Sequence, residues 1–267
     1  MSFRVPFPPR SGAYGGRPGV TLAVIVVSSV LFLTGPASGF LGVYGTGHAL
    51  ERAQEAYFAE WGVLPRDLWS GAARPLLTPV TALFVHGNWV HLLGNLLFLF
   101  VFGGWVEERV GSLRFALFYL VTGSAALVCY AAVHPSSTET VVGSSGGISA
   151  VLGAFLFLFP RARVTSLFPF LFFLPLRLPA WLVLPFWLLI QGGGVRGDAA
   201  GGPGVAHLAH VFGFAMGFGY AWLLRRGEVR RTEAGEGAGG DGRTGTEVTG
   251  ADKVGGPAPA TKGESAP

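Results

Sequence analysis

The chain has 267 residues, half of them apolar and only 13% charged, with a formal charge of +4. Its mean hydropathy is +0.50. Soluble domains carry about 25% charged residues, so these charges cannot cover a soluble surface. The 22 Phe and 7 Trp exceed what one soluble core holds. An all-α, multi-pass membrane protein is expected. Cys129 is the single cysteine, which excludes an intramolecular disulfide and a zinc site built on paired cysteines. The positive excess is mostly arginine. It is expected to report topology rather than nucleic-acid binding.

Residues 1–19 hold Arg4, Arg10 and Arg17, several Pro and Gly, and no acid. They read as a short lead without structure. An apolar run from residue 20 to about 43 is the first expected span. A signal peptide with cleavage near Gly35-Pro36-Ala37 is the alternative, set aside because further spans of similar strength follow. Residues 44–77 mix Glu51, Arg52, Glu55, Glu60, Arg66, Asp67 and Arg74 with Tyr57, Trp61 and Trp69. This segment is too polar to span and reads as an external loop with amphipathic pieces at the membrane surface.

Residues 78–106 contain no Asp, Glu, Lys or Arg, more than the roughly 20 residues a crossing needs. Glu107, Glu108, Arg109 and Arg114 close this second span. Residues 115–133 form the third span and 134–139 a turn. Residues 141–159 form the fourth, ended by Pro160-Arg161-Ala162-Arg163. Residues 164–185 are apolar but hold Pro169, Pro175, Pro179 and Pro185 around Arg177. Proline leaves backbone groups unpaired in lipid. Residues 164–176 are therefore read as interfacial or re-entrant, and 178–190 as the core of span five. A glycine-rich loop is expected over 192–204. Span six covers 205–224, stopped by Arg225-Arg226. Residues 227–267 bury too little apolar surface to order and are expected to be a disordered tail. The division is thus a lead at 1–19, a six-span membrane domain at 20–226 and a tail at 227–267.

Six spans put both ends on one side. One set of flanks holds Arg4, Arg10, Arg17, Arg109, Arg114, Arg161, Arg163, Arg225, Arg226, Arg230 and Arg231. The other holds Arg52, Arg66, Arg74 and Arg196. Positive flanks stay inside, so both termini are expected to be cytoplasmic, with the protein in the cell membrane.

Spans two, four and six then run in one direction, and their first turns share an outer depth. Those turns carry His86, His91 and Asn95, then Ser145, then His207 and His210. Polar side chains at such depth face the bundle interior. Gly143-Ser144-Ser145-Gly146-Gly147 opens an apolar helix, where free backbone N–H groups suit a developing oxyanion. A Ser/Gly loop with an N-cap is the plainer reading. Ser145, Ser149 and Gly153 give this helix a small-residue face, and Gly213 and Gly217 give span six a matching one. His210 lies three residues before Gly213 and so shares that face. If the two faces meet, its imidazole reaches the serine hydroxyl and serves as general base. Otherwise it bonds one helix to another. His91 and Asn95, four residues apart, present two donors in one direction, either to an oxyanion or to a neighbouring helix.

Together these residues resemble the rhomboid family of intramembrane serine proteases, over roughly residues 74–220. The carriers are His86-Gly87-Asn88-Trp89-Val90-His91-Leu92-Leu93-Gly94-Asn95, the following Gly103-Gly104, the Gly-x-Ser-Gly run at 143–146, and Ala209-His210-Val211-Phe212-Gly213-Phe214-Ala215-Met216-Gly217. The resemblance implies a six-helix rhomboid-type bundle with a long, partly interfacial first external loop. It implies Ser145 as nucleophile, His210 as general base, and Asn95 and His91 with the Ser145 N–H at the oxyanion. His86 takes a structural role. The chain departs from the family pattern at Ala73, where Trp is frequent, at Gly147, where Ala is usual, and at Ala150, where Gly is common. None of these removes a reacting group.

The expected activity is cleavage of single-span membrane proteins near the outer face, by a dyad lacking a third acid. Asp198, the nearest acid before His210, is in the expected loop, so packing is left to orient the imidazole, against an aromatic on span four or five. The lipid bilayer is the expected environment. Neither a cofactor nor a metal is expected, since no His-Glu-x-x-His exists and these spans hold no acid or cysteine to complete a catalytic zinc set. The alternative is an inactive rhomboid-like scaffold that binds transmembrane clients. A transporter would show repeats or midplane charges, and neither is present. Substrates are expected to enter between spans two and five, because span five is the least regular and supplies no reacting group.

Overall fold

A computed structural model describes residues 18–168, 174–199 and 206–239. Most of these are helical. Helix α1 (Gly19–Thr34) leads through two 3-10 turns into α2 (His48–Trp61) and the short α3 (Pro65–Leu68) and α4 (Thr78–Thr81). Helix α5 (Trp89–Phe98) passes through a π-turn at Leu99–Gly103 into α6 (Gly104–Val110). Then come α7 (Ser112–Val133), α8 (Ser145–Leu158), strands β1 (Arg163–Phe168) and β2 (Leu174–Pro179), α9 (Ala180–Ala199) and α10 (His207–Gly239). Two helical stretches, Trp89–Val110 and Ser112–Val133, are long and apolar enough to cross a membrane, and α1, α8 and Ala180–Val195 are shorter apolar helices. Outward-facing Val26, Leu97, Val121 and Leu189 are exposed, an apolar exterior of the kind lipid covers.

Helix α8 is the centre of the first compact unit, which ends at Arg225. It is apolar on every side, and Gly146 to Phe155 are all buried, as an all-round apolar helix requires. Its small face meets α10 backbone to backbone. A Cβ added at Gly213 would fall on the Gly146 carbonyl oxygen, one at Gly217 on that of Ala150, and one at Gly153 on that of Phe214. The expected pairing of the Ser145/Ser149/Gly153 face with Gly213 and Gly217 is therefore present. It sets the distance between the two helices.

Glu107 is not a surface charge closing a span. It is 1% exposed, and its carboxylate oxygens accept from the backbone N–H groups of Val20 at 3.0 Å and Thr21 at 2.8 Å and from the Ser112 hydroxyl at 2.7 Å. Free N–H groups at the start of α1 thus find a partner, and one side chain ties α1, α6 and α7 together. Hydrogen bonds to charged groups contribute about 1.5–3 kcal/mol each. Glu107→Ala is expected to lower stability by about 3 kcal/mol, read as the unfolding midpoint in detergent, with Glu107→Gln losing less. Unchanged midpoints would show that this junction contributes nothing net.

Three expectations need correction. The chain is not all-α: β1 and β2 pair antiparallel, with Val164 opposite Leu178 and Thr165 opposite Arg177. Pro175 and Pro179 exclude helix, whereas a two-stranded ribbon accepts proline because each strand is an edge. Residues 164–176, expected to be interfacial or re-entrant, thus include all but the first residue of β1 and the start of β2, and 169–173 lie outside the described residues. Second, the glycine-rich stretch does not begin a loop at 192, since α9 continues to Ala199; residues 200–204 lie outside the described residues. Third, the chain beyond 226 is helical to Gly239, in a second unit that starts at Arg226. Its Ala, Glu and Arg are strong helix formers. Residues 240–267 of the expected disordered tail lie outside the described residues, as do 1–17 of the lead.

Candidate active site

The segment before Ser145 is held from three sides. Val63 and Val141 exchange backbone hydrogen bonds at 2.9 and 2.8 Å, and the Gly143 N–H donates to the Ala82 carbonyl at 2.9 Å. Gly143 has φ +119°, and a Cβ there would lie 2.6 Å from the His91 ring. Only glycine permits both the turn and this approach. Ser145 then opens α8, so its own N–H and those of Gly146 and Gly147 belong to the first turn, where no intrahelical acceptor exists.

Three serines of this stretch, Ser144, Ser145 and Ser149, have different partners. The Ser144 side chain meets His86 Nε2 at 3.2 Å, while His86 Nδ1 lies 3.3 Å from the Phe84 carbonyl. That carbonyl accepts only, so Nδ1 carries the hydrogen and Ser144 donates to Nε2. The Ser149 hydroxyl donates to the Ser145 carbonyl at 2.7 Å. Ser145 Oγ instead lies 2.8 Å from His210 Nε2. His210 is buried, and its Nδ1 is 2.7 Å from Gln191 Oε1 of α9. Its ring centroid is 6.0 Å from that of Trp187, one turn earlier on α9.

On α5, Asn88 caps the helix by accepting from the His91 N–H at 2.9 Å. The Gly87 N–H donates to His91 Nδ1 at 3.4 Å, which leaves the hydrogen on Nε2, beside Gly143. Asn95, one turn on, is buried, and its Nδ2 has no partner among the described residues. An unpaired buried donor is costly. Ser145, His210, His91, Asn95, Gln191 and Trp187 all line one cavity of about 800 Å³. The four expected site residues are thus brought together. The arrangement places a hydroxyl against an imidazole nitrogen, with N–H donors from α5 and from the first turn of α8 beside them, which is the equipment for acyl transfer.

His86 stands behind this cavity, holding Ser144. His207 is not at the serine. A Cβ added at Gly194 would overlap the His207 ring, so this histidine packs on α9. Gln191 was missed by sequence reasoning. The available signal was its being the one amide in the apolar run 178–195, since an isolated polar side chain in such a run marks an interior contact.

A family model described as the rhomboid domain matches residues 73–227, more than half of the chain. The chain belongs to the rhomboid family. The rhomboid match contains every residue of the site. Among curated relatives, the chain is 34% identical over 152 residues to "Rhomboid-like protein 11, chloroplastic" of Arabidopsis thaliana, covering 55% of this chain and 52% of that protein. It is 30% identical over 152 residues to "Rhomboid protein 1, mitochondrial" of Saccharomyces cerevisiae, covering 54% and 40%, and 25% identical over 151 residues to "RHOMBOID-like protein 6, mitochondrial" of Arabidopsis thaliana, covering 54% and 42%. The chain spans about half the length, or less, of these rhomboid relatives. As a rhomboid it is a membrane-embedded protein.

Proposed function

We propose that this protein is an intramembrane serine endopeptidase that cleaves transmembrane segments of other proteins. The observation that carries the reading is the 2.8 Å contact between Ser145 Oγ and His210 Nε2, inside a cavity that Asn95 also lines, its Nδ2 without a partner among the described residues. Ser145 Oγ attacks the scissile carbonyl as His210 Nε2 takes its proton. The oxyanion is received by the Ser145 N–H, Asn95 Nδ2 and His91 Nε2–H. Collapse transfers the proton from His210 to the leaving amine, and the imidazole then activates water to release the acyl group.

In this reading α1, the α4–α6 stretch, α7, α8, α9 and α10 are spans one to six, both termini are cytoplasmic, and the protein sits in the cell membrane. A 14-residue helix rises about 21 Å against roughly 30 Å of hydrocarbon. Ser145 therefore starts below the outer surface, and the cavity that it lines gives water a route to the site. Single-span substrates enter between α5 and α9, with the scissile bond near the outer face. Gly or other small residues near that bond favour cleavage, because an intact helix shields its carbonyls.

The test is incubation of the purified protein in liposomes with a panel of single-span substrates. Cleavage near the outer membrane boundary is expected. Stable binding of intact substrates without cleavage would favour the scaffold alternative instead. Asn95→Ala is expected to reduce turnover on the order of 10²-fold, less than loss of Ser145, because the backbone N–H and His91 remain. If turnover holds while the unfolding midpoint falls, Asn95 serves only to join helices.

A further inference from the structure

The contact between His210 and α9 has no part in the mechanism above, and α9 supplies none of its reacting atoms. Three residues of α9 nevertheless face α10 at helical spacing. Trp187 lies over both His210 and Phe214, at centroid distances of 6.0 and 6.2 Å. Gln191 meets His210 Nδ1 at 2.7 Å. Gly194 provides the space that the His207 ring fills. Residues 187, 191 and 194 occupy one stripe of a helix.

From this stripe we infer that Gln191 is a positioning residue that sets the tautomer of His210, and that α9 must be docked on α10 for the base to be competent. The inference rests on the protease reading. A histidine accepts a serine proton at Nε2 only if its hydrogen is on Nδ1, and the partner of one ring nitrogen decides which nitrogen is protonated. Gln191 Oε1 is an acceptor, so it holds the hydrogen on Nδ1 and leaves the Nε2 lone pair toward Ser145 Oγ. A carboxylate at this place would do the same and also favour the imidazolium. The amide fixes the tautomer without that charge. Trp187, four residues earlier, covers the ring and limits its rotation. Displacing α9 to admit a substrate withdraws both contacts, so the base is set again only when α9 returns. The other titratable groups lining the cavity are His207 on α10, His91 on α5, Tyr130 on α7 and the exposed Glu139 at the rim. The His207 ring meets that of His210 edge-on at 6.2 Å, and the partner at Nδ1 is Gln191 Oε1.

The experiment compares wild type, Gln191→Met and Gln191→Glu in liposomes, with kcat, KM and the pH dependence of kcat/KM measured on one single-span substrate. Methionine keeps the length and removes the acceptor. Its kcat is expected to fall on the order of 10- to 100-fold, with KM held within about twofold and Ser145 labelling by a fluorophosphonate slowed in parallel. Glutamate restores the acceptor and adds negative charge beside Nδ1, which favours protonated His210. It is expected to recover kcat at alkaline pH, with the acid limb of kcat/KM moved to higher pH. A structural role alone would lower the unfolding midpoint and leave the pH limb where it is in wild type. Wild-type kcat in folded Gln191→Met overturns the inference while leaving the protease reading intact. An unshifted acid limb in active Gln191→Glu also overturns it. A wild type that neither labels nor cleaves overturns both.

Discussion

Replacing Ser145 by alanine is expected to abolish cleavage, by more than about 10⁴-fold, in a protein that remains folded. The substitution removes one oxygen at the first residue of α8. It leaves in place the glycine contacts between α8 and α10 and the bonds that hold the 141–143 segment. Neither neighbouring serine is expected to substitute. Ser144 is bonded to His86 and Ser149 to the Ser145 carbonyl, so each would have to break an existing bond and find a base. Cleavage rates in liposomes, beside helical content and unfolding midpoint, check this. Wild-type-like cleavage by Ser145→Ala would remove the nucleophile assignment and direct attention to Ser144 and Ser149.

The two histidines of α10 are expected to separate as sharply. His210→Ala should match Ser145→Ala, because residues that act as one unit lose nearly the whole effect singly. His207→Ala should keep cleavage within about tenfold of wild type. Its ring packs at Gly194 on α9 and edge-on to the His210 ring, so its loss relaxes one α9–α10 contact but removes no reacting atom and leaves the Gln191 and Trp187 contacts of His210; a core-type truncation affects stability first. Parallel kinetics on the two variants decide the matter. The reverse outcome would mean that the register of α10 at the site is one turn out.

Much of this site was legible in the sequence because small residues and polar side chains are conspicuous in apolar helices. Ser145, Ser149 and Gly153 on one helix, and Gly213 and Gly217 on another, announce a close backbone contact whose partners need no further information. His210 then follows from its spacing to Gly213. Other parts were hidden. Gln191 acts across two helices, and nothing local to it says which helix its oxygen meets. Glu107 stood in a run of charges and so looked like a surface boundary, whereas two of its three partners are backbone groups 86 and 87 positions away. Gly192 to Gly194 looked like a loop, since glycine costs about 1 kcal/mol in a helix. The contact of Gly194 with the His207 ring is a long-range gain that composition does not display. Pro175 and Pro179 break the helical pattern, but the antiparallel pairing of β2 with β1 depends on register between the two segments.

Activation of Ser145 by His210 is read out by covalent labelling with a fluorophosphonate, followed by mass mapping of the adduct. A single adduct on Ser145 is predicted in the wild-type protein, absent in His210→Ala and retained in His207→Ala. No adduct in folded wild-type protein, or an adduct on Ser144 or Ser149 in its place, would contradict it.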